Sequence, residues 1–280
     1  MIRIITDSAA DITLEEAKKN NIDIVPLKIS FNEDEIKQEK TEDFDLFYQK
    51  LMTATALPLT SRPSPEQYLE YFKKAEEKGD DVLVLTLSSG LSGTYESAMV
   101  AKKMSPYKEK ITIIDTEQAI LTQRMLVEYA VQLRDSGEKI EAITERVNDL
   151  KDRVVVCGLV NTLKYLKMGG RIPKSLAFIG EKLNIKPIII LEDKSLKELS
   201  KKRGRKAGKK SLQKELEKEK LDPAFPVYFG YTLNKEEGHQ FRQETEEKYQ
   251  LTHSKLFSIG GVIGTHVGPE SLAIAFVREK

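Results

Sequence analysis

The sequence predicts a two-domain α/β protein, in which an N-terminal domain with a mainly parallel sheet precedes a C-terminal mixed α/β domain. The chain has 280 residues, about twice the length of a typical domain. Short aliphatic runs alternate with helical patterns in the first half, and from about Val154 the strand-like runs are separated by helices and longer loops. We therefore place the domains at residues 1–155 and 156–280.

The first half has the pattern of repeated βαβ units. Brief aliphatic runs typical of buried parallel strands lie at residues 2–6, 82–87 and 111–115. Helical patterns lie at residues 14–20, 44–52, 65–78, 94–103 and 121–149, and Ser136-Gly137 breaks the last of them. Because strands that alternate with helices pair in parallel, we expect a sheet covered by helices on both faces.

The second half has a different order of elements. Strand-like runs lie at residues 154–160, 186–191, 227–231, 254–259 and 272–277. Helices are predicted at residues 162–167, 174–183, 206–220 and 235–249. No low-complexity linker separates the halves, so we expect the two domains to be packed together rather than tethered.

The composition excludes a disordered chain and a membrane protein. Hydrophobic residues make up 40% of the chain and charged residues 32%, and no apolar run reaches the length of a membrane span. The early charges of the N-terminus and the single cysteine, Cys157, lead us to expect a soluble, cytoplasmic protein. So few cysteines and histidines also argue against a zinc enzyme.

The near-zero net charge conceals two halves of opposite sign. The formal net charge is +1, but residues 1–150 carry 19 Lys+Arg and 28 Asp+Glu, and residues 151–280 carry 26 and 16. The most basic stretch, residues 194–214, holds ten Lys/Arg against one acid, Glu198. It has no aromatic residue for base stacking. A solvated surface, a protein-docking surface and a nucleic-acid interface all remain open for this basic segment.

A first candidate site follows the strand at residues 82–87. The sequence Ser88-Ser-Gly-Leu-Ser92-Gly93-Thr94 reads as a turn of small residues leading into a helix. Helix N-termini carry unpaired amide donors and a partial positive charge, so Ser92 and Gly93 are candidates for binding an anion. The alternative is that Ser92 or Thr94 only caps the helix.

A second candidate segment precedes the helix at residues 65–78. Ser64, Pro65 and Gln67 match a helix cap, a first-turn proline and a capping-box partner. Thr60 and Ser61 come before this cap in an extended loop, where their hydroxyls are available to bind a ligand.

Two glycine-rich segments of the second half carry further candidates. Four glycines and a proline at residues 259–269 predict a constrained loop, and His266 within it is a candidate donor to an anion. Paired glycines end the helix at residues 162–167, and Arg171 follows them as either a surface charge or an anion ligand.

Asp7 and Asp115 each end a predicted strand. Because the carboxyl ends of parallel strands meet at one edge of a sheet, these side chains either cap turns or reach a site at that edge.

These motifs, taken in order, resemble the DegV family of bacterial fatty-acid-binding proteins, which includes the binding subunits of fatty acid kinase. The resembling segments are 5–8 (ITDS), 60–64 (TSRPS), 88–95 (SSGLSGTY), 163–172 (LKYLKMGGRI), 186–187 (KP), 202–204 (KRG) and 264–269 (GTHVGP). They extend over essentially the whole chain, and Glu270 is the one departure from the family pattern.

The resemblance implies one long-chain fatty acid, such as palmitate, bound between the two domains. Thr60 and Ser92 would hold its carboxylate, with Ser61 and Gly93 beside them, and His266 and Arg171 would complete the head-group site. It further implies a non-catalytic subunit without a cofactor, which presents the acid to a separate nucleotide-binding kinase that forms the acyl phosphate. Transient exchange with membranes is then expected, and nucleic-acid binding is not.

The physics of a fatty acid assigns different roles to tail and head. Burying roughly 14 methylenes at about 0.8 kcal/mol each gives on the order of 11 kcal/mol before entropy costs. Desolvation of the carboxylate offsets much of the gain from its hydrogen bonds. We therefore expect an apolar tunnel to supply affinity. Its candidate lining is Phe178, Ile179, Ile188 and Ile190, for which ordinary core packing is an equal alternative.

Two other functions stay open at this point. The first is an enzyme on the same site: a Ser92–His266 hydrolase, for which no third residue is evident, or a kinase-like domain, for which no nucleotide-phosphate loop is evident. The second is a nucleic-acid-binding regulator that uses the basic segment.

Overall fold

The computed structural model describes residues 1–32, 34–172 and 184–280. The chain divides into two compact units. The first unit comprises residues 1–40 and 59–152, and the second comprises residues 41–58 and 153–280. Residues 41–58, which the sequence places in the first domain, group with residues 153–280 in the second unit.

The first unit contains a parallel sheet, a small antiparallel sheet and the helices around them. Its strands are β1 (Ile2–Asp7), β2 (Ile22–Val25), β3 (Lys28–Phe31), β4 (Asp34–Glu35), β5 (Leu59–Ser61), β6 (Asp81–Thr86) and β7 (Ile111–Asp115). Its helices are α1 (Leu14–Lys19), α3 (Pro65–Lys78), α4 (Thr94–Met104), α5 (Ile120–Asp135) and α6 (Ile140–Lys151). Helix α2 (Thr41–Thr53) belongs to the second unit.

The main sheet of the first unit has the strand order β2-β1-β6-β7, and all its pairings are parallel. Its strands are short and aliphatic, as the sequence predicts. Side chains of α3 and α4 pack with Ile5, Val82 and Val84 in one core cluster, and α5 contacts β1 and β6. Because successive strand residues point to opposite faces, Ile4 and Leu83 point away from that cluster. The predicted sheet with two covered faces is confirmed.

The strand order sets where a ligand fits best. The chain runs from β1 to β2 on one side and then returns to β6 and β7 on the other side. In parallel α/β sheets, ligands bind outside the carboxyl ends of the strands where the order reverses. The carboxyl ends of β1 and β6 therefore mark the expected site, and the small-residue turn follows directly after β6.

The second unit contains a mixed sheet. Its strands are β8 (Val154–Leu159), β9 (Ile185–Glu192), β10 (Ser195–Arg203), β11 (Val227–Tyr231), β12 (Ser254–Ser258) and β13 (Leu272–Val277). The strand order is β10-β9-β8-β13-β11-β12, in which only the β11–β12 pairing is parallel. Besides α2, its helices are α7 (Lys164–Met168), α8 (Arg205–Gln213), α9 (Lys235–Tyr249) and α10 (Gly261–Val267). This is the mixed α/β arrangement that the sequence predicts.

The glycine-rich segment at residues 259–269 is not the loop that its composition predicts. Residues Gly261–Val267 form helix α10. A Cβ added at Gly264 would lie 2.3 Å from the hydroxyl oxygen of Tyr48 in α2, and that hydroxyl donates to the carbonyl of Ile259 at 2.8 Å. Glycine is therefore present at this position because α10 packs closely against α2.

Helix α3 begins as predicted. Its first residue is Pro65, and the side-chain oxygen of Gln67 accepts a hydrogen bond from the Ser64 amide at 2.9 Å. Across the described parts of the chain, no helix has the length and apolar character that a membrane span would need.

Candidate functional site

The turn after β6 is compact, with hydrogen bonds inside the turn and to neighbouring segments. The amides of Leu91 and Ser92 donate to the carbonyl of Ser88 at 3.0 and 3.1 Å, and the Ser88 amide donates to the carbonyl of Gln118 at 2.9 Å. Residues 88–92 therefore form a tight turn that leads the chain from the carboxyl end of β6 into α4.

Helix α4 begins without a side-chain cap. Gly93 is its N-cap residue and makes no capping bond. The hydroxyls of Ser92 and Thr94 lie 2.8 Å apart and share a hydrogen bond with each other. The first amides of α4 are thus not capped by a side chain, and they present donors and a partial positive charge to an anion.

Strand β5 places the second candidate segment. Thr60 pairs with Ile29 across the small antiparallel sheet, so this segment is a strand rather than the predicted loop. Thr60 is half-buried and Ser61 is exposed.

Arg62, which directly follows β5, reaches the start of α4. Its Nη1 donates to the carbonyl of Gly93 at 3.4 Å. A Cβ added at Gly93 would lie 2.0 Å from that same nitrogen, so glycine makes room for the guanidinium. The structure therefore brings the segment 60–62 and the Ser92–Gly93 turn together through Arg62.

Sequence reasoning assigned no role to Arg62. The one available signal was its position inside the segment 60–64, directly after the two candidate hydroxyls. The contact with Gly93 spans 31 residues, and no local pattern predicts it.

Two aspartates at the ends of neighbouring strands accept hydrogen bonds from the start of this turn. Asp7 at the end of β1 accepts the Leu87 amide at 2.7 Å, the Ala9 amide at 3.0 Å and the Gln123 side-chain amide at 3.2 Å. Complete burial raises its pKa to about 6, although these three donors oppose the rise. Asp115 at the end of β7 accepts the amide and the hydroxyl of Ser89 at 3.1 and 2.5 Å.

Three predicted positions of the second unit lie together. A Cβ added at Gly169, at the end of α7, would lie 2.2 Å from Nδ1 of His266 in α10. The Arg171 guanidinium donates to the carbonyl of Gly169 at 2.5 Å. Burial and the positive charge of Arg171 lower the pKa of His266 to about 4. His266 is therefore neutral at pH 7, with one N–H donor and one acceptor nitrogen.

The predicted tail residues have different outcomes. Phe178 and Ile179 lie outside the described residues. Ile188 is fully buried in the core cluster of the second unit, and Ile190 is half-buried against the same cluster. For Ile188, this placement is what ordinary core packing requires.

A pocket of about 760 Å³ lies at the opposite edge of the first unit's sheet. It is lined by the starts of β1 and β6 and by charged side chains such as Lys110 and Arg134. None of the predicted site residues line it, and its charged lining does not suit a hydrocarbon tail.

The basic segment at residues 194–214 is partly neutralised within its own unit. Lys197 contacts Glu192 and Asp193 at 2.8 and 2.5 Å, and Arg205 makes two bonds to Glu237 at 2.9 and 2.7 Å. These contacts reduce the field that the segment presents to a polyanion.

Comparison with known proteins identifies the family. The sequence matches the family described as "Uncharacterised protein, DegV family" over residues 1–279. The DegV domain-containing protein CPE0026 of Clostridium perfringens is 34% identical to it over 285 residues, which cover 99% of this chain and 97% of that protein. The DegV domain-containing protein YteA of Lactococcus lactis is 32% identical over 99% of this chain and 98% of its own.

A solved structure shares the fold over nearly its full length. A fat acid (stearic acid)-binding protein from Eubacterium ventriosum has a TM-score of 0.87 and 30% identity over 99% of this chain and 98% of that one. These similarities confirm the two-domain α/β fold class and the resemblance drawn from the motifs. The chain belongs to the DegV family.

Proposed function

We propose that this protein binds a long-chain fatty acid and that the first unit holds its carboxylate at the start of α4. The observation that carries the proposal is Arg62, which packs its guanidinium against Gly93 at a helix N-terminus without a side-chain cap. Two positive elements side by side repel each other, and an anion that lies near both turns this repulsion into attraction.

The hydroxyls around this point suit a carboxylate. Ser92 precedes the helix start, and Thr60 and Ser61 precede Arg62. Hydroxyls, backbone amides and a guanidinium are all donors to a carboxylate, and a charge-assisted bond is about twice as strong as a neutral one. An acyl phosphate would find the same donors.

Similarity to ligand-bound relatives supports a fatty acid over other anions. The Eubacterium ventriosum protein binds stearic acid. Almost all of the apolar surface of a fatty acid of that size lies on its hydrocarbon tail. Burial of the tail therefore supplies affinity, and the head group supplies orientation. Ile190 remains a proposed tail contact.

We extend the proposal to His266 and Arg171 as further head-group residues. A neutral imidazole donates one hydrogen bond without carrying a charge that must be desolvated. A carboxylate that oriented a catalytic histidine would raise its pKa, whereas the pKa of His266 is lowered beside a cation. This favours binding over Ser–His hydrolysis.

We also propose a role in fatty acid metabolism in which the protein is not itself an enzyme. Here it presents the bound acid to a nucleotide-binding kinase, which forms the acyl phosphate. Purified protein alone should then consume no ATP in the presence of palmitate. Addition of a cognate kinase subunit should yield acyl phosphate, and ATP consumption by the isolated protein would contradict this role.

The experiment that tests lipid binding is mass spectrometry of an organic extract of the purified protein, followed by titration of delipidated protein with palmitate. We expect about one long-chain acid per chain and saturable rebinding. Ser92→Ala should weaken rebinding about tenfold through loss of a charge-assisted hydrogen bond. Protein that yields no acid and takes up no palmitate contradicts the proposal.

A further inference from the structure

Two carboxylates from the neighbouring strands accept hydrogen bonds from the turn after β6. In the sheet, β1 and β7 flank β6, and these two strands end in Asp7 and Asp115. Asp7 accepts the amide of Leu87, and Asp115 accepts the amide of Ser89. Alternate residues of one short segment are therefore held from opposite sides.

The environment of Asp7 is costly for a simple turn cap. Its carboxylate is fully buried, and a buried charge is tolerated only when donors surround it. As the cap of the short turn at Ser8–Ala10, it accepts the Ala9 amide, a bond that a serine or an asparagine could also accept. Neither of these residues could accept the Ala9 amide and, at the same time, the amide of Leu87, which lies 80 residues away.

Asp115 has a similar double role. One of its oxygens accepts the amides of Ser89 and Glu117 at 3.1 and 3.0 Å, and the other accepts the Ser89 hydroxyl at 2.5 Å. It therefore caps the turn after β7 and at the same time fixes the first residues of the turn after β6.

These anchors determine where the start of α4 lies. Residues 88–92 form one hydrogen-bonded turn, because the amides of Leu91 and Ser92 both donate to Ser88. Fixing Leu87 and Ser89 thus fixes Ser92 as well. We propose that Asp7 and Asp115 are positioning residues for head-group binding: they hold the turn so that Ser92 and the first amides of α4 face the ligand. This inference rests on the proposed function.

The donors around each carboxylate predict different results for the same substitution. At Asp7, every bonded partner is an N–H, so the amide nitrogen of Asp7→Asn would face another donor in either orientation. At Asp115, the oxygen that contacts the Ser89 hydroxyl can be replaced by an amide nitrogen, because a hydroxyl also accepts. Asparagine should therefore be harmful at position 7 and tolerated at position 115.

The test compares palmitate with hexadecanol, which has the same tail length and a neutral head. Delipidated wild-type protein and the variants Asp7→Asn, Asp115→Asn and Asp115→Ala are titrated with both ligands. Asp135→Asn is the matched control, because this aspartate is exposed and lies in the same unit. A general structural defect would weaken both ligands alike, whereas a misplaced turn lowers the preference for the carboxylate.

We expect Asp7→Asn and Asp115→Ala to lower palmitate affinity about tenfold while hexadecanol affinity stays within about threefold. Asp115→Asn and Asp135→Asn should behave like the wild type. If Asp7→Asn does not fold, the comparison of Asp115→Asn with Asp115→Ala decides the question. Asp115→Asn should keep the palmitate affinity that Asp115→Ala loses. Unchanged palmitate preference in Asp115→Ala overturns the inference while lipid binding stands. A wild-type protein that binds no palmitate overturns both.

Discussion

Arg62 lies beside the positive end of the α4 dipole, a placement that by itself costs about 0.3–1 kcal/mol. Its bond to the Gly93 carbonyl offsets part of this cost. A bound carboxylate converts the arrangement into an attraction, because the anion then lies near both positive elements. Arg62 therefore contributes to binding and slightly lowers the stability of the ligand-free protein.

The first prediction concerns Arg62 directly. Arg62→Ala should reduce palmitate affinity about tenfold, while the free energy of unfolding of the delipidated protein stays equal or rises by about 0.5 kcal/mol. Calorimetric titration and chemical denaturation measure the two quantities. Lys73→Ala, an exposed cation on α3, is the control, and affinity that is the same in both variants would contradict the role of Arg62.

The second prediction uses the close contact at Gly93. A Cβ at this position would lie 2.0 Å from Arg62 Nη1, so Gly93→Ala should displace the guanidinium and weaken palmitate binding about as much as Arg62→Ala. Because both changes remove one interaction, the double variant should be no weaker than either single variant. Additive losses in the double-mutant cycle would show that the two residues act independently.

At the scale of elements, helix α10 shows how a composition signal can mislead. Glycines in α10 favour a loop when only local conformational freedom is considered. At Gly264, however, glycine is needed for close packing against Tyr48, which lies more than 200 residues earlier in the sequence. In contrast, α3 was predicted correctly, since its start depends on the local residues Ser64, Pro65 and Gln67.

The third prediction tests this packing between α2 and α10. Gly264→Ala would place a methyl group 2.3 Å from the Tyr48 hydroxyl, and overpacking of this kind destabilises a protein by about 1–3 kcal/mol. Tyr48→Phe alone should cost about 1 kcal/mol, because the bond to the Ile259 carbonyl is lost.

The double variant Tyr48→Phe/Gly264→Ala shows whether position 264 needs glycine for close packing against Tyr48 or for a loop conformation. It should be more stable than the sum of the two single changes predicts, since loss of the hydroxyl removes the closest contact of the new methyl and leaves only the ring carbon Cζ at 2.8 Å and Cε1 at 3.0 Å. Denaturation with urea measures all three variants. Strict additivity would indicate that Gly264 is not packed against the Tyr48 hydroxyl.

At the scale of the whole molecule, the sequence predicted what depends on local periodicity. The aliphatic runs predicted strands β1, β6 and β7, and their alternation with helices predicted the parallel sheet. Unpredicted features depend on contacts between distant residues. Helix α2 belongs to the second unit through packing such as Tyr48 against α10, and Arg62 joins the candidate site through Gly93.

The two units also inherit the opposite charge of the two halves of the chain. The first unit carries 19 Lys+Arg and 26 Asp+Glu, and the second carries 26 and 18. Asp7 in the first unit and His266 in the second are buried groups whose pKa values are strongly shifted within the acidic range. These two shifts have opposite consequences for stability, which leads to the last prediction.

Between pH 7 and pH 4, the two units should respond to acid in opposite directions. The pKa of Asp7 is raised from 3.8 to about 6, so the folded first unit binds a proton more readily than the unfolded chain and gains stability as the pH falls through 6 toward 3.8. The pKa of His266 is lowered from 6.5 to about 4, so its contribution is complete above pH 6.5 and is lost as the pH falls through 4. Each effect is on the order of 3 kcal/mol. Hydrogen exchange followed by mass spectrometry reports opening of each unit separately. When the pH is lowered to 4.5, the second unit should lose more protection from hydrogen exchange in the wild type than in His266→Asn, because the asparagine does not titrate. Equal pH profiles for wild type and His266→Asn would contradict the lowered pKa of His266 and, with it, its proposed role as a neutral donor.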